Sequence, residues 1–190
     1  MECNSTDAFR SHAAIVRFVV TVAIGLGLDL WTKSQTVAHI ALGDGIDVIP
    51  GWLRLEFTMN RGAVFGIAQG QRWVFMIVSA AAIIFLTYLF STSARRAFYQ
   101  IILGMLLAGV LGNMYDRVRY GYVRDMIHAF PGSHWAAWVQ SIIPSLHGEI
   151  FPWIFNVADS LLCVGVGLML IYSFVQSPKP EVQASEKVSS

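Results

Sequence analysis

The sequence predicts an all-α membrane protein: four transmembrane helices, a small extracytoplasmic β-like segment and a short amphipathic helix. Three observations predict it. Of 190 residues, 55% are hydrophobic and 13% charged, whereas ordinary soluble domains are about a quarter charged. Mean hydropathy is +0.57. Four stretches, 13–32, 73–94, 97–115 and 151–177, reach the roughly 20 mostly apolar residues that a membrane span needs. They define one domain over 1–177. The remainder, 178–190, is polar and contains Pro and Ser, and is expected to be a disordered cytoplasmic tail.

The first stretch carries Arg17 near its start and Asp29 near its end. It runs into "DLWTK" without a small-residue cleavage pattern, so it reads as a retained span and not as a removed signal. Segment 34–72 mixes Gly and Pro with alternation such as "WLRLEF", a pattern of short strands. The second and third stretches are uncharged and joined by "TSARR". Segment 116–150 contains "HWAAWVQSIIPSL", where Trp135, Trp138 and Ile142 fall near helical spacing. Such Trp-rich amphipathic pieces favour the membrane interface. The last stretch is charged only at Asp159.

Four spans put both termini on one side. Arg95 and Arg96 lie in the tightest loop, which makes that loop and the termini cytoplasmic by the positive-inside rule. Arg54, Arg61, Arg72, Arg117, Arg119 and Arg124 lie opposite, but long segments obey the rule less well. A net charge of +1 gives no reason to expect a nucleic-acid partner. Cys3 and Cys163 sit in unlike surroundings. They suggest neither a disulfide nor a metal motif.

With this topology the costly polar residues converge on one face of the membrane. Asp29, Asn113 and Asp116 end outward-running spans, and Asn156 and Asp159 begin the returning one. The long loops on that side carry Asn60, Arg61 and Asp125. Asp159 is about eight residues into its stretch, on the order of 12 Å deep, and a carboxylate there needs a proton, a cation or a polar cavity. Asp29 and Asp116, at helix ends, have equally good structural explanations, Asp116 as an ion pair with Arg117. Asp125 lies between apolar neighbours. Two carboxylates in a partly dry pocket share a proton and can act as general base and general acid on water, with no metal or cofactor.

"DLWTK" at 29–33, "FTMNRGAVFG" at 57–66, "GNMYDR" at 112–117, "GYVRDMI" at 121–127 and "FNVADS" at 155–160 occur in order against the four spans. In these motifs the chain resembles the bacterial lipoprotein signal peptidases, signal peptidase II. The resemblance implies an aspartyl endopeptidase of the cytoplasmic membrane with its active site on the extracytoplasmic side. It would act as a monomer among membrane lipids and take prolipoproteins as substrate. It would cut before a cysteine that already carries a diacylglyceryl group. The family's catalytic pair falls on Asp125 and Asp159, and its supporting residues on Asp29, Asn60, Gly62, Asn113, Arg117 and Asn156. Asp116 also matches, in a structural role beside Arg117. Gly62 and Gly66 would let the chain approach a peptide closely.

Rival chemistries lack their signatures. No nucleophile elbow surrounds Ser160, and "HEXXH" is absent. His128, His134 and His147 read as solvated or interfacial. Four short spans with one deep carboxylate make a poor ion path. The stretch from Asp125 to Asp159 is longer than the family pattern. The Trp-rich piece within it is expected to lie on the membrane interface as a lid over the site.

Overall fold

The computed structural model describes residues 8–62, 70–93, 96–143 and 148–176. A 3-10 turn, Ala8–Arg10, precedes α1, His12–His39. Strands β1, Gly45–Ile49, and β2, Leu53–Asn60, follow. Then come α2, Arg72–Ser91, and α3, Ala97–Arg119. Strand β3, Val123–Ala129, leads to the short α4, Ala137–Ile142, then β4, Ile154–Phe155, and α5, Val157–Gln176. Helices α1, α2, α3 and α5 are long and apolar enough to cross a membrane. The strands form one antiparallel sheet in the order β1-β2-β3-β4.

Helix α3 is the centre of the bundle. Ile102, Leu103, Leu106 and Leu107 are buried on it, and α1, α2 and α5 pack against it. Lipid tails are as apolar as leucine, so such helices associate through close packing of small residues. Here Gly104 admits Thr21 of α1, Gly109 admits Leu162 of α5, and Gly112 admits the Asp29 carboxylate. Gly165 of α5 in turn admits Leu106. At the other end of the bundle, the Arg17 Nε donates to Gln100 Oε1 at 3.0 Å, and Gln100 Nε2 donates to the Ser93 carbonyl at 2.8 Å. That chain of bonds explains an arginine inside the first span.

Helix ends differ from the apolar stretches for local reasons. Helix α1 continues past Thr32 to His39 because Lys33 and Thr36 are buried and extend the packed face. Helix α5 starts at Val157, since Ile154 and Phe155 are spent pairing with His128 and Ile127 of β3. Asp159 therefore sits in the first turn of α5, not about eight residues inside a span. The sheet confirms the strands expected before α2. It adds β3, a strand that the sequence marked only as locally buried.

The segment between β3 and β4 is tethered at one end of the sheet. Its stem closes through the His134–Glu149 bridge and an Ile150 N–H bond to the Ser133 carbonyl. His128 is buried, with Nε2 3.1 Å from Glu149 and Nδ1 3.5 Å from Glu56. Its expected solvation is corrected: the strand buries it and two carboxylates flank it. His134 is exposed, and His147 lies outside the described residues. Helix α4 makes no extensive contact with another element, so its described part is not packed over the polar cluster as a lid.

A Cβ at Gly109 would fall 2.6 Å from the Ala158 carbonyl oxygen and 2.7 Å from Leu162 Cγ. Gly109→Val is therefore expected to lower thermal stability in detergent by about 1–3 kcal/mol. Gly167→Val, where nothing lies within 4 Å, should leave it nearly unchanged.

Candidate active site

The site begins with strand alternation. In β3, Asp125 pairs with Thr58 of β2, and Val123 with Asn60. Asn60 is thus diagonal to Asp125 on one face, within side-chain reach. Its Nδ2 donates to Asp125 Oδ2 at 3.0 Å, and its Oδ1 accepts the Gly62 N–H at 2.9 Å. The neighbours of Asp125 point the other way. Arg124 binds Asp116 through Nη2 at 2.7 Å and through its backbone N–H at 2.9 Å. Met126 Sδ accepts the Thr36 hydroxyl at 3.2 Å. Both faces of β3 are therefore covered, which is why Val123, Arg124, Asp125 and Met126 are all buried.

The start of α5 supplies the second carboxylate. Asn156 Oδ1 accepts the Asp159 N–H at 3.0 Å, and Asp159 Oδ2 accepts the Asn156 N–H at 3.2 Å. This reciprocal pair caps the helix and satisfies donors that a helix start otherwise leaves bare. The Ala158 N–H is taken by Asp29 Oδ1 at 2.9 Å. A carboxylate in the first turn also faces the positive end of the helix dipole.

One asparagine joins the two carboxylates. While its Oδ1 holds the Asp159 N–H, Asn156 Nδ2 donates to Asp125 Oδ1 at 2.6 Å and to Asn113 Oδ1 at 3.2 Å. Asn113 Nδ2 donates to Asp159 Oδ1 at 2.8 Å. The amide orientation of Asn113 is dictated by Lys33, whose Nζ lies 3.1 Å from its Oδ1. An ammonium only donates, so the oxygen must face it and the NH₂ must face Asp159.

Lys33 is fully buried, 2.8 Å from Asp29 and 3.5 Å from Asp116. Asp29, Lys33, Asp116 and Arg124 thus form a compensated buried network. The expected Asp116–Arg117 pair is corrected: Asp116 turns to Arg124 and Lys33. Arg117 instead donates to the Gly62 carbonyl at 3.2 Å and lies 4.8 Å over the Phe75 ring. It stays within electrostatic reach of Asp159 and Asp125.

Asp29, Asn60, Gly62, Asn113, Arg117, Asp125, Asn156 and Asp159 are therefore brought together in one hydrogen-bonded cluster. Gly66 lies outside the described residues. Sequence reasoning missed Lys33 and Arg124 as members. Lys33 could have been found as the i+4 partner of Asp29 on one helix face. Arg124 could not, because its bond to Asp116 crosses a turn.

Burial pushes the Asp125 carboxyl up to about 7, and the nearby Asp159 charge adds to the rise. The bonds from Asn60 and Asn156 oppose it. Near neutral pH such a group is part acid and part carboxylate, the condition that proton transfer in both directions needs.

A sequence model described as "Signal peptidase (SPase) II" matches residues 21–175. The lipoprotein signal peptidase of Halalkalibacterium halodurans is 34% identical over 158 residues, covering 83% of this chain and 90% of that protein. That of Streptococcus pyogenes serotype M1 is 37% identical over 155 residues, covering 81% and 90%. Among solved structures, a bacterial membrane enzyme solved by the in meso method superposes with a TM-score of 0.69. It is 30% identical, over 86% of this chain and 92% of that one. A second such structure gives 0.66 at 29% identity, over 84% and 94%. The chain belongs to the signal peptidase II family.

Lys33→Met would leave Asp29 and Asp116 buried with one cation fewer, and is expected to cost on the order of 3–5 kcal/mol, read as a lower unfolding temperature. The raised carboxyl of Asp125 gives stability a sign in pH. The unfolded chain releases that proton near 3.8 and the folded chain at about 7. The folded state holds the extra proton in between, so this contribution is present in acid and lost as pH rises through that window. Thermal unfolding from pH 4 to 8 should therefore show Asp125→Asn gaining stability relative to the parent as pH rises. A constant difference across that range would contradict the assignment.

Proposed function

We propose that this chain is an aspartic endopeptidase that removes signal peptides from prolipoproteins, cutting before the diacylglyceryl-modified cysteine with water activated between Asp125 and Asp159. The observation that carries this reading is the junction at Asn156. One side chain bonds to Asp125 Oδ1 through Nδ2 and to the Asp159 N–H through Oδ1. It holds a strand carboxylate and a helix carboxylate in a single site.

The chemistry is general acid–base hydrolysis. The reactive form of the pair carries one proton, and that proton belongs to the pair rather than to either residue. The ionised carboxylate takes a proton from water as its oxygen attacks the scissile carbonyl carbon. The protonated carboxyl gives its proton to the carbonyl oxygen, forming a tetrahedral diol. Collapse breaks the C–N bond. The amide nitrogen leaves with a proton delivered from the pair, one diol hydroxyl gives its proton back to the pair as the C=O re-forms, and the pair ends with the one proton it began with. No metal or cofactor takes part.

Supporting roles follow from contacts. Asn113 and Asn156 aim the carboxylates. Asn60 holds both Asp125 and the Gly62 backbone. Arg117 fixes the Gly62 carbonyl, where an extended substrate backbone would lie. Helices α2 and α5 both pack on α3 but not extensively on each other. That slot would admit the signal helix and its lipidated cysteine sideways from the bilayer. The chain is read as a monomer in the cytoplasmic membrane, with termini cytoplasmic and the site facing outward.

Asp125→Asn and Asp159→Asn, each assayed on a lipidated prolipoprotein, should lose at least about 10²–10⁴ in rate. Parent activity should fall as pH rises above about 7, where the pair loses its proton. Full activity in either variant, or abolition of parent activity by chelators, would reject the two-carboxylate mechanism.

A further inference from the structure

The segment between β3 and β4 takes no part in the cluster above, yet its surface is unusual. From Met126 to Gly148 the chain has no Asp, Glu, Lys or Arg. Soluble surfaces are rich in such residues. Trp138 is 69% exposed and Ile142 71%. They are four apart on α4, hence on one face. Ile143 and Trp135 are exposed as well.

Three of its described polar side chains bond within the segment. Gln140 Nε2 donates to the Trp135 carbonyl at 2.6 Å, Ser141 to the Trp138 carbonyl at 2.8 Å and Ser133 to the Phe130 carbonyl at 2.6 Å. Groups bonded in this way lose little on leaving water. The stem is rigid. Glu149 accepts from the Gly132 N–H at 2.9 Å through Oε1 and meets His128 at 3.1 Å through Oε2.

The apolar surface continues into the sheet. Phe130 adopts a left-handed φ of 53°, unfavourable for a bulky residue. Its ring lies 5.4 Å from that of Trp52, and Val48, Ile49 and Trp52 at that hairpin are exposed too. The segment then returns through β4 directly into α5, a candidate span with exposed apolar residues such as Leu170 and Phe174. Exposed tryptophan, no formal charge and a direct chain connection to a span are the marks of a membrane-interface element.

We propose that residues 130–143 form a foot on the bilayer, with Trp138 and Ile142 seated at the headgroup–acyl boundary of the membrane that the chain spans. The foot braces the sheet that carries Asp125 against the membrane surface. It does not cover the site. The inference is independent of the peptidase mechanism.

The test replaces Cys3 and Cys163 with Ser, introduces Trp138→Cys or Ile142→Cys, attaches a nitroxide and reconstitutes the full chain in phosphatidylcholine/phosphatidylglycerol bilayers. Phe174→Cys, on α5 and 80% exposed, is the lipid-facing reference. Both foot positions should collide more with oxygen than with a water-soluble nickel chelate, as the reference does. A preference for the chelate would mean exposure to water and overturn the proposal. Protection from both reagents would mean a protein cover, either the site itself or a second copy, and overturn it equally. As a check without labels, dibrominated lipid should quench the parent's tryptophan emission more than that of Trp135→Phe/Trp138→Phe. Equal fractional quenching would count against the foot.

Discussion

A single ammonium group with no access to water holds this molecule together at its functional end. Lys33 is fully buried, and a buried charge is tolerated only where partners surround it. Its partners belong to different parts of the chain. Asp29 lies one turn earlier on α1, and Asp116 and Asn113 lie on α3. Each partner then extends the tie. Asp29 takes the Ala158 N–H of α5, and Asp116 takes Arg124 of β3. Three spans and the inner strand β3 are thus tied around one nitrogen. Helix packing alone would tolerate small slips between neighbours. This network does not, because a slip would strand a charge in a dry interior.

The same nitrogen separates the four acidic residues into two kinds. Asp29 and Asp116 have full positive charges in contact with them. Asp125 and Asp159 accept from amides and backbone N–H groups, while the Arg117 guanidinium is bonded to backbone carbonyls. Carboxylates in direct contact with a cation have their charge offset where they stand. Uncompensated ones in a partly dry site can trade protons. Asp125, pushed up to about 7 by burial and by Asp159, is of the second kind. The ion-pair contacts of Asp29 and Asp116 fit the structural side of the even choice that the sequence left open. Their structural role is still indirect service to the site, since Lys33 sets the amide of Asn113 and that amide sets Asp159.

Much of this was legible in the residues. Spans follow from apolar length, and the convergence of polar residues follows from counting spans. Those two steps bring Asp29, Asn113 and Asp159 to one face without any coordinates. Alternation in "WLRLEF" foretold β2. Other features were hidden for physical reasons. The β3 strand reads as uniformly apolar around two charges because both its faces are covered, so it lacks the period-two signal. Arg124 looked like a loop cation until a turn brought it back on Asp116. Arg117 adjoins Asp116 in sequence, but successive residues on a helix project about 100° apart. Adjacency therefore predicted the wrong pair.

The start of α5 shows how one position can serve folding and chemistry together. An aspartate deep in an oily helix would be a liability. In the first turn it closes a cap with Asn156 and lies on the favourable end of the dipole. Helix geometry therefore fixes the Asp159 carboxylate, and no flexible loop has to hold it. The cap also sets where along the bilayer normal the carboxylate lies: at the start of a span, beside the strand that carries Asp125. A lipidated cysteine has its acyl chains in hydrocarbon and its peptide at the hydrocarbon's edge. A helix cap is the one place on a spanning helix where a carboxylate can be rigid, hydrogen-bonded and at that edge at once. The cost of the charge is thus removed by the same geometry that, in the proposed reaction, would put it level with the bond to be cut.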